Sequence, residues 1–546
     1  MISISLNHVH LVLGAKTIFK ELDWEIQHDQ KMGLIGPNGA GKSSLFKLIT
    51  GEYTPEKGGA VVKARGVSVG YLAQEPLLDA AQTGFAAALA GNPRVAEVSA
   101  ALAAVEHSLN DPAVYGNENR LSAALERQQE LLAEYQAVGG DQYPQKVRAT
   151  LRGLGLKEGE EDKPIGVLSG GQKKLIGLAC LLLAMPDVLL LDEPDNHLDL
   201  AGKQYLERFI QTYPGAVVII SHDRYLLDAV VTHIAELEDG QLATFAGDYS
   251  AFILEKQQRL ARQSELYQVQ QRQIARIEAA IKRYAIWAKT YDNEKFAKRA
   301  KAIQNRLDHM DKLDRPLLER RRMELKIHGW RGSQKVLEFR NVSKAFGERR
   351  VLQHVNLILH HGERVGVIGP NGTGKSVLLR LALGALAPDS GDVLTGPSVS
   401  GGYYAQEHET LDPEQSVLDT VRLAGNMSES NAVALLGRYL FDYRMCALKV
   451  KALSGGERSR LQLLLVVLSK ANFLLLDEPT NNLDIASAEV LEDALAEFEG
   501  TALIISHDRY FLDQVVDRIL VVEDGKLISH AGGYSDWLSS NALDKK

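Results

Sequence analysis

Cysteine is nearly absent. The chain has 546 residues and two cysteines, Cys180 and Cys446, too few for a disulfide framework, a zinc ribbon or an iron–sulfur set. A reducing, cytoplasmic setting is therefore expected. Cys180 stands in Leu178-Ala179-Cys180-Leu181-Leu182 and reads as a small core residue. Long apolar runs are missing too. The most apolar region, Leu175 to Leu191, is cut by Pro186-Asp187 and falls short of the roughly 20 residues a membrane span needs. The start, Met1-Ile2-Ser3-Ile4-Ser5-Leu6, has neither the charged opening nor the apolar core of a signal peptide. The chain stops soon after Trp537, so no C-terminal nucleic-acid-binding extension is expected. What remains is an ordinary globular composition, 45% hydrophobic and 24% charged, with room for two to four domains.

The most informative stretch is Gly36-Pro37-Asn38-Gly39-Ala40-Gly41-Lys42-Ser43. It follows the apolar run Met32-Gly33-Leu34-Ile35 and precedes Leu45-Phe46-Lys47-Leu48-Ile49, so it reads as strand, tight loop and helix, the setting a phosphate-binding loop requires. Glycines let the backbone wrap an anion, the helix start points amides at it, and Lys42 adds positive charge. Ser43 is placed to offer its hydroxyl to Mg²⁺. A single copy could be a chance glycine-rich turn. A second copy, Gly369-Pro370-Asn371-Gly372-Thr373-Gly374-Lys375-Ser376 after Arg364-Val365-Gly366-Val367-Ile368, removes that reading.

The chain is a duplication. Val67 to Gln74 is echoed by Val399 to Gln406, Leu168-Ser169-Gly170-Gly171-Gln172 by Leu453-Ser454-Gly455-Gly456-Glu457, and Val188 to Pro194 by Phe473 to Pro479. Ser221-His222-Asp223-Arg224-Tyr225 matches Ser506-His507-Asp508-Arg509-Tyr510. Matched residues lie 333 apart at the phosphate loops and 285 apart from Ser169 onward, so the first copy carries about 48 extra residues between Gln74 and Ser169. Within them Leu121, Leu125, Gln128, Leu131, Leu132 and Tyr135 recur at helical spacing, with Asn110-Asp111-Pro112 as a break. This predicts a helical hairpin over about 95–140.

Each shared element has a task if the ligand is a nucleoside triphosphate. Asp192 and Asp477 end apolar strands, where a carboxylate can hold the Mg²⁺ hydration shell. Glu193 and Glu478 follow as candidates to orient or deprotonate the attacking water. Phosphoryl transfer needs mainly charge neutralisation and positioning, and His222 and His507 are candidates for an extra γ-phosphate contact. A histidine after a strand is commonly structural, but both lie 30 residues past the aspartate in the same local context. The Ser-Gly-Gly elements open apolar helices, Leu175 to Ala184 and Leu461 to Leu468. Helix starts of this kind form anion sites. Ser-x-x-Gln/Glu also serves as a plain helix cap, but the whole set recurs in fixed order.

The set resembles the ATP-binding-cassette proteins, over roughly residues 1–250 and 335–538: Walker A loops, Q-loop glutamines Gln74 and Gln406, signatures, Walker B strands, D-loop Asp199 and Asp484, and H-loop histidines. The resemblance implies two α/β P-loop domains in a head-to-tail sandwich within one monomeric chain, with ATP and Mg²⁺ as ligands. Site one would join Lys42, Ser43, Ser44, Gln74, Asp192, Glu193 and His222 to Ser454, Gly455, Gly456 and Glu457. Site two would join Lys375, Ser376, Gln406, Asp477, Glu478 and His507 to Ser169, Gly170, Gly171 and Gln172. By the same resemblance the metal would be met by Ser43, Gln74 and Asp192, and by Ser376, Gln406 and Asp477. Two departures stand out. The aromatic expected to stack on adenine matches Phe346 in the second half but Leu13 in the first, and Thr480 after the second Walker B is matched by Asp195.

Between the halves, Leu260, Tyr267, Ile274, Ile277, Ile281, Tyr284 and Ala288 recur as a seam, which breaks around Thr290-Tyr291-Asp292-Asn293 and resumes with Phe296, Ala300, Ile303, Leu307 and Met310. This predicts two long helices packed as an antiparallel, coiled-coil-like hairpin. Residues 255–331 hold 20 Lys and Arg against 10 Asp and Glu, in a chain whose net charge is −8. Charge-rich helices are usually only solvated, but here Lys289, Lys295, Lys298, Arg299 and Lys301 crowd the bend among Trp287, Tyr291 and Phe296. Such mixtures attract phosphate backbones and unpaired bases. The expected domains are 1–253, 254–333 and 334–546. Tandem cassettes with such a linker resemble the ABC-F family of ribosome-associated ATPases. That resemblance implies a ribosome partner at the exit site, with the linker reaching toward peptidyl-tRNA and rRNA and the first-copy insertion acting as an arm. ATP would hold the bound state and hydrolysis release it; neither DNA nor a membrane is expected as partner. An antibiotic-resistance member of the family and a transporter's ATPase component are the alternatives. A DNA-repair cassette would carry zinc cysteines or longer coiled coils, and a ribosome-recycling cassette an N-terminal cysteine cluster.

Overall fold

The computed structural model describes residues 1–546 except 15, 57, 74, 75, 77, 138, 197, 291–293, 311–322, 328, 407, 408, 545 and 546. Among the described residues the chain divides into two compact units, one of Met1–Asp248 with Met323–Lys546 and one of Tyr249–Arg322.

The larger unit holds the duplication. Each half has a three-stranded antiparallel sheet, Lys16–Gln27 beside Ile2–Leu13 beside Ala60–Lys63 in the first and Arg349–His360, Lys335–Phe346 and Ser390–Thr395 in the second. Each half also has a six-stranded sheet. In the first its order is Val69–Leu72, Val188–Asp192, Ala216–Ile220, Lys31–Ile35, His233–Glu238 and Gln241–Ala246, with only the last strand antiparallel. The second repeats it with Gly401–Tyr404, Phe473–Asp477, Thr501–Ile505, Arg364–Ile368, Arg518–Glu523 and Lys526–Ala531. The central strands are short, unbroken apolar runs because both faces are covered: every residue of Val188–Asp192, Ala216–Ile220, Phe473–Asp477 and Thr501–Ile505 is buried.

This order fixes where chemistry can occur. Three neighbouring parallel strands, 188–192, 216–220 and 31–35, end at one edge. Their next residues are Glu193, Ser221-His222 and the glycine-rich loop. Crevices at the carboxyl ends of parallel strands are where such sheets bind ligands.

The first-half insertion folds as helices Pro93–Leu109, Pro112–Tyr115 and Glu118–Ala137. Asn110 ends the first helix and Pro112 starts the next. Val98, Leu102 and Leu131 make a small core between the long helices, and Arg94 pairs with Glu134 across them.

Residues 323–327, inside the linker expected over 254–333, pack with the second half instead. Met323, Leu325 and Ile327 alternate with Glu324 and Lys326 and sink into that half's core. Charge alone does not mark this boundary, because the alternate residues remain outside.

In the smaller unit, helices Tyr249–Thr290 and Glu294–Asp308 contact each other. Tyr267, Ile274, Ile277, Ile281, Tyr284, Ile303 and Leu307 form a less exposed stripe, with Leu307 buried. Lys289, Lys295, Lys298, Arg299 and Lys301 are exposed. The Trp287 ring stands edge-on to Tyr284 at 5.7 Å, and Arg283 lies over both rings. Tyr291 and the side chain of Phe296, named above among the cations, lie outside the described residues, as do those of Leu260, Ala288 and Ala300.

Candidate active site

The two loops 36–43 and 369–376 have nearly identical backbones. Gly36 and Gly369 sit at φ 150° and 148°, where a Cβ would lie 2.3 Å from the Leu237 carbonyl oxygen and 2.4 Å from that of Val522. Only glycine fits that approach. Helices Lys42–Thr50 and Lys375–Ala382 start at the last two residues of these loops. Lys42 Nζ donates to the carbonyls of Gly36 (2.8 Å) and Pro37 (3.2 Å), and Lys375 Nζ to those of Gly369 (2.7 Å) and Pro370 (3.0 Å). Both ammonium groups are buried at the mouths of their loops. Burial pulls their pKa down, while Glu193, Asp484 and Asp192 oppose this for Lys42 and Glu478, Asp199 and Asp477 for Lys375. Cations set this way complement an anion held by the surrounding amides.

The carboxylates face these lysines. Ser43 stands beside Asp192 and Ser376 beside Asp477, each drawing the aspartate's pKa down against burial. Burial raises the pKa of both aspartates. Tyr71 donates to Asp192, at 3.5 Å. Asp192 Oδ1 is buried with no partner, the mark of a ligand atom awaiting a metal or its water. A serine hydroxyl and an aspartate beside a phosphate loop fit Mg²⁺ with oxygen ligands.

Glu193 and Glu478 come next in strained backbone, at φ 49° and 51°. Residues other than glycine hold this region only when the surroundings enforce it, and such sites cluster at functional centres. The enforcement is visible: Glu193 N donates to Ile220 O at 2.8 Å and Glu478 N to Ile505 O at 2.9 Å. Burial, then the neighbouring aspartate, raises both glutamates, and Glu478 reaches about 7. Glu193 Oε2 accepts from Asn196 at 2.7 Å, whereas Glu478 Oε2 accepts from the His507 amide at 3.2 Å. His222 Nε2 lies 3.7 Å from Glu193 Oε1, and His507 Nε2 3.5 Å from Glu478 Oε1. Burial and then Lys42 lower His222 to about 4, with Asp484 opposing; burial, Lys375 and Lys203 hold His507 well below its usual value. Neutral imidazoles with one N–H can donate to a phosphate oxygen without adding charge.

Contacts between the halves complete the site. Asp199 caps helix Leu200–Thr212 by accepting from Gly202 N (3.0 Å), and its other oxygen accepts from Asn371 N (3.1 Å) in the opposite loop. Asp484 does the same with Ser487 N (2.9 Å) and Asn38 N (3.3 Å). Asn38 Nδ2 also donates to Asn482 O at 3.2 Å, and a Cβ on Gly456 would lie 2.7 Å from that Nδ2. Each phosphate loop is thus shaped partly by the other half. Ser169 and Ser454 cap helices Gly170–Ala184 and Gly455–Leu468 in full capping boxes with Gln172 and Glu457. The plain-cap reading and the anion-site reading therefore describe the same atoms.

Of the remaining expected residues, Gln406 is exposed in a turn after Gly401–Tyr404, and Gln74 lies outside the described residues. Phe346 ends its strand half-exposed, with Lys344 Nζ 5.7 Å from its ring centre. Leu13 ends the matching strand but packs on the first-half core. Asp195 is buried near Ser221 and Lys203, and burial raises its pKa while Lys203 opposes this. Sequence reasoning missed Lys203, Asn196, Lys174, which donates to Glu193 O at 2.8 Å, and Lys157. Lys157 and Arg349 line a cavity of about 330 Å³ with Arg350, Val351, Thr373 and Asp524. Lys203 and Lys174 have no lysine at their matched positions, Ala488 and Ser459, so repetition does not mark them, whereas Asn196 recurs as Asn481 just outside the motifs singled out. In the sequence the Arg-Tyr pairs are only flanks of the histidines, yet in the fold they cross the interface. Buried Arg224 pairs with Glu492 and lies over Tyr510, and Arg509 pairs with Glu207 and lies over Tyr225.

Comparison with known proteins agrees with this geometry. The family described as ABC transporter matches residues 19–196 and 352–481, and a second family of that description matches 235–327. The energy-dependent translational throttle protein EttA of Haemophilus influenzae is 35% identical over 95% of this chain and 92% of its own. ABC transporter F family member 5 of Arabidopsis thaliana is 34% identical over 98% of this chain and 77% of its own. The archaeal ribosome recycling factor aABCE1, solved with the stalk protein aP1, shares the fold at a TM-score of 0.57 and 19% identity, over 98% of this chain and 92% of that one. Despite the family's description, no helix among the described residues is long and apolar enough to cross a membrane. The chain belongs to the F family of ATP-binding-cassette proteins and is an ATPase with two tandem P-loop cassettes.

Proposed function

We propose that this chain is a ribosome-associated ATPase of translation, acting in the cytoplasm, whose two ATP sites lie head to tail between the cassettes. The observation that carries the site assignment is the reciprocal clamp of Asp199 on Asn371 and Asp484 on Asn38. It sets each phosphate loop against the other cassette, so a bound triphosphate would be enclosed by both. Lys42 and Lys375 neutralise phosphate charge, while Ser43 with Asp192, and Ser376 with Asp477, would hold Mg²⁺. The metal, when bound, draws charge from the phosphate oxygens. Glu193 and Glu478 orient and deprotonate water, and His222 and His507 donate to the γ-phosphate. Ser454, Gly455 and Gly456 serve site one from the opposite cassette; Ser169, Gly170 and Gly171 serve site two.

Support for the ribosome comes from the EttA likeness and from the basic bend with its aromatic neighbours, which suits rRNA or tRNA. The test is co-sedimentation with purified ribosomes in a nonhydrolysable ATP analogue and in ADP. Binding in the analogue and release in ADP is the expected result; equal recovery in both would refute nucleotide-controlled association.

The adenine contacts differ between sites. Phe346→Ala should weaken ATP binding at site two by about fivefold, the loss of roughly 1 kcal/mol of stacking. Site one, with Leu13, should already bind ATP and GTP with nearly equal affinity. Hydrolysis of ATP and of GTP across a concentration series, in variants with one working glutamate, measures this through each site's KM, and equal ATP preference at the two sites would overturn it.

A further inference from the structure

Lys203 belongs to cassette one but reaches the hydrolytic centre assigned to cassette two. It projects from helix Leu200–Thr212 and is 6% exposed. Its ammonium donates to Asp223 Oδ2 at 2.8 Å and, across the interface, to the His507 carbonyl at 2.8 Å. Asp195 supplies a second negative neighbour, and Arg509 approaches Asp223 from the other cassette at 3.5 Å. His507 in turn uses its amide to hold Glu478 Oε2. A continuous chain of hydrogen bonds therefore runs from Asp223 through Lys203 and the backbone of His507 to Glu478.

The duplication supplies an internal control. Residues 285 positions later are Thr480 for Asp195 and Ala488 for Lys203. Cassette two thus has neither the extra carboxylate nor the lysine, and no ammonium from position 488 can hold the His222 carbonyl. A lone buried lysine would lose its charge or expel itself. Asp223 holds it by a direct ion pair, and Asp195 stands near enough to oppose the effect of burial.

We infer that Lys203 is a positioning residue for hydrolysis at site two: when the cassettes close, its ammonium fixes the His507 backbone by its carbonyl, and the amide of the same residue, in the preceding peptide, aims Glu478. Site two thereby senses closure through a contact that site one lacks, and the two sites turn over under different control. This rests on assigning Glu478 and His507 to the second hydrolytic centre.

The experiment uses the full chain in two backgrounds. Glu193→Gln leaves site two as the working site, and Glu478→Gln leaves site one. Lys203→Ala should lower kcat about tenfold or more in the first background, with KM for ATP nearly unchanged, because the loss is one of aim. In the second background kcat should stay within about twofold. Since Lys203→Ala strands two buried carboxylates, Asp195→Thr with Lys203→Ala is made as well, copying the second cassette. It should melt close to the parent and keep the selective loss at site two. Equal losses in both backgrounds, no loss in either, or recovery of site-two turnover in the double variant would overturn the inference. Hydrolysis surviving in Glu193→Gln with Glu478→Gln would instead remove the assignment of the centres, whatever Lys203 does.

Discussion

Changing Glu193 and Glu478 together to Gln lowers ATP turnover by about two to four orders of magnitude while ATP binding persists. The amide keeps the size of the carboxylate and cannot take a proton from water. Its backbone position is set from outside the side chain, by the hydrogen bonds that the Glu193 and Glu478 amides donate to the Ile220 and Ile505 carbonyls, so the strained turn survives the exchange. Lys42, Lys375 and both serines are untouched, so nucleotide affinity has no reason to fall. With entry allowed and hydrolysis blocked, the closed arrangement accumulates, and under the proposed function the protein stays on ribosomes and halts translation. Phosphate release and filter binding of labelled ATP read the two halves of this result. Undiminished phosphate release by the double variant removes both glutamates from the mechanism.

Replacing Lys295, Lys298, Arg299 and Lys301 together by Glu weakens ribosome binding by at least about tenfold near 0.1 M salt and flattens its salt dependence. All four are exposed on helix Glu294–Asp308, within about two turns. For every phosphate that no longer meets a cation, the slope of log affinity against log salt shrinks by about 0.7 to 0.9. Apart from the linker the chain is acidic, the whole carrying −8 while residues 255–331 carry ten more basic than acidic residues, so the cassettes offer little non-specific attraction to RNA. ATP hydrolysis without ribosomes should change little, because none of the four belongs to a nucleotide motif. Co-sedimentation of the ATP-trapped protein across a salt series makes the measurement. Identical curves for both forms would make the helical unit a spacer with a solvated face.

Much of the cassette architecture was legible because it is written twice. Strands such as Val188–Asp192 announce themselves as unbroken apolar runs, and the loop that follows Ile35 has a spacing that few other structures need. Pairs of matched motifs then locate Asp192, Glu193 and His222 at one sheet edge once strand order is known. The contacts across the cassettes were not legible. Lys203 acts on His507 304 residues away, and no local pattern marks a lysine in a helix as buried. The second cassette's true beginning was hidden too, since Met323, Leu325 and Ile327 alternate with charged residues inside a basic stretch.

The Arg-Tyr crossing has a bearing on ancestry. Glu207 and Glu492 occupy matched positions, as do Arg224 and Arg509, and Tyr225 and Tyr510. Each cassette consequently carries both the plug and the socket of the latch. A single gene copy would have possessed every group needed to grip its own twin by two-fold symmetry. Joining two copies end to end would have kept that grip while freeing each half to change alone. Asp195 with Lys203, against Thr480 with Ala488, is one such difference between the halves.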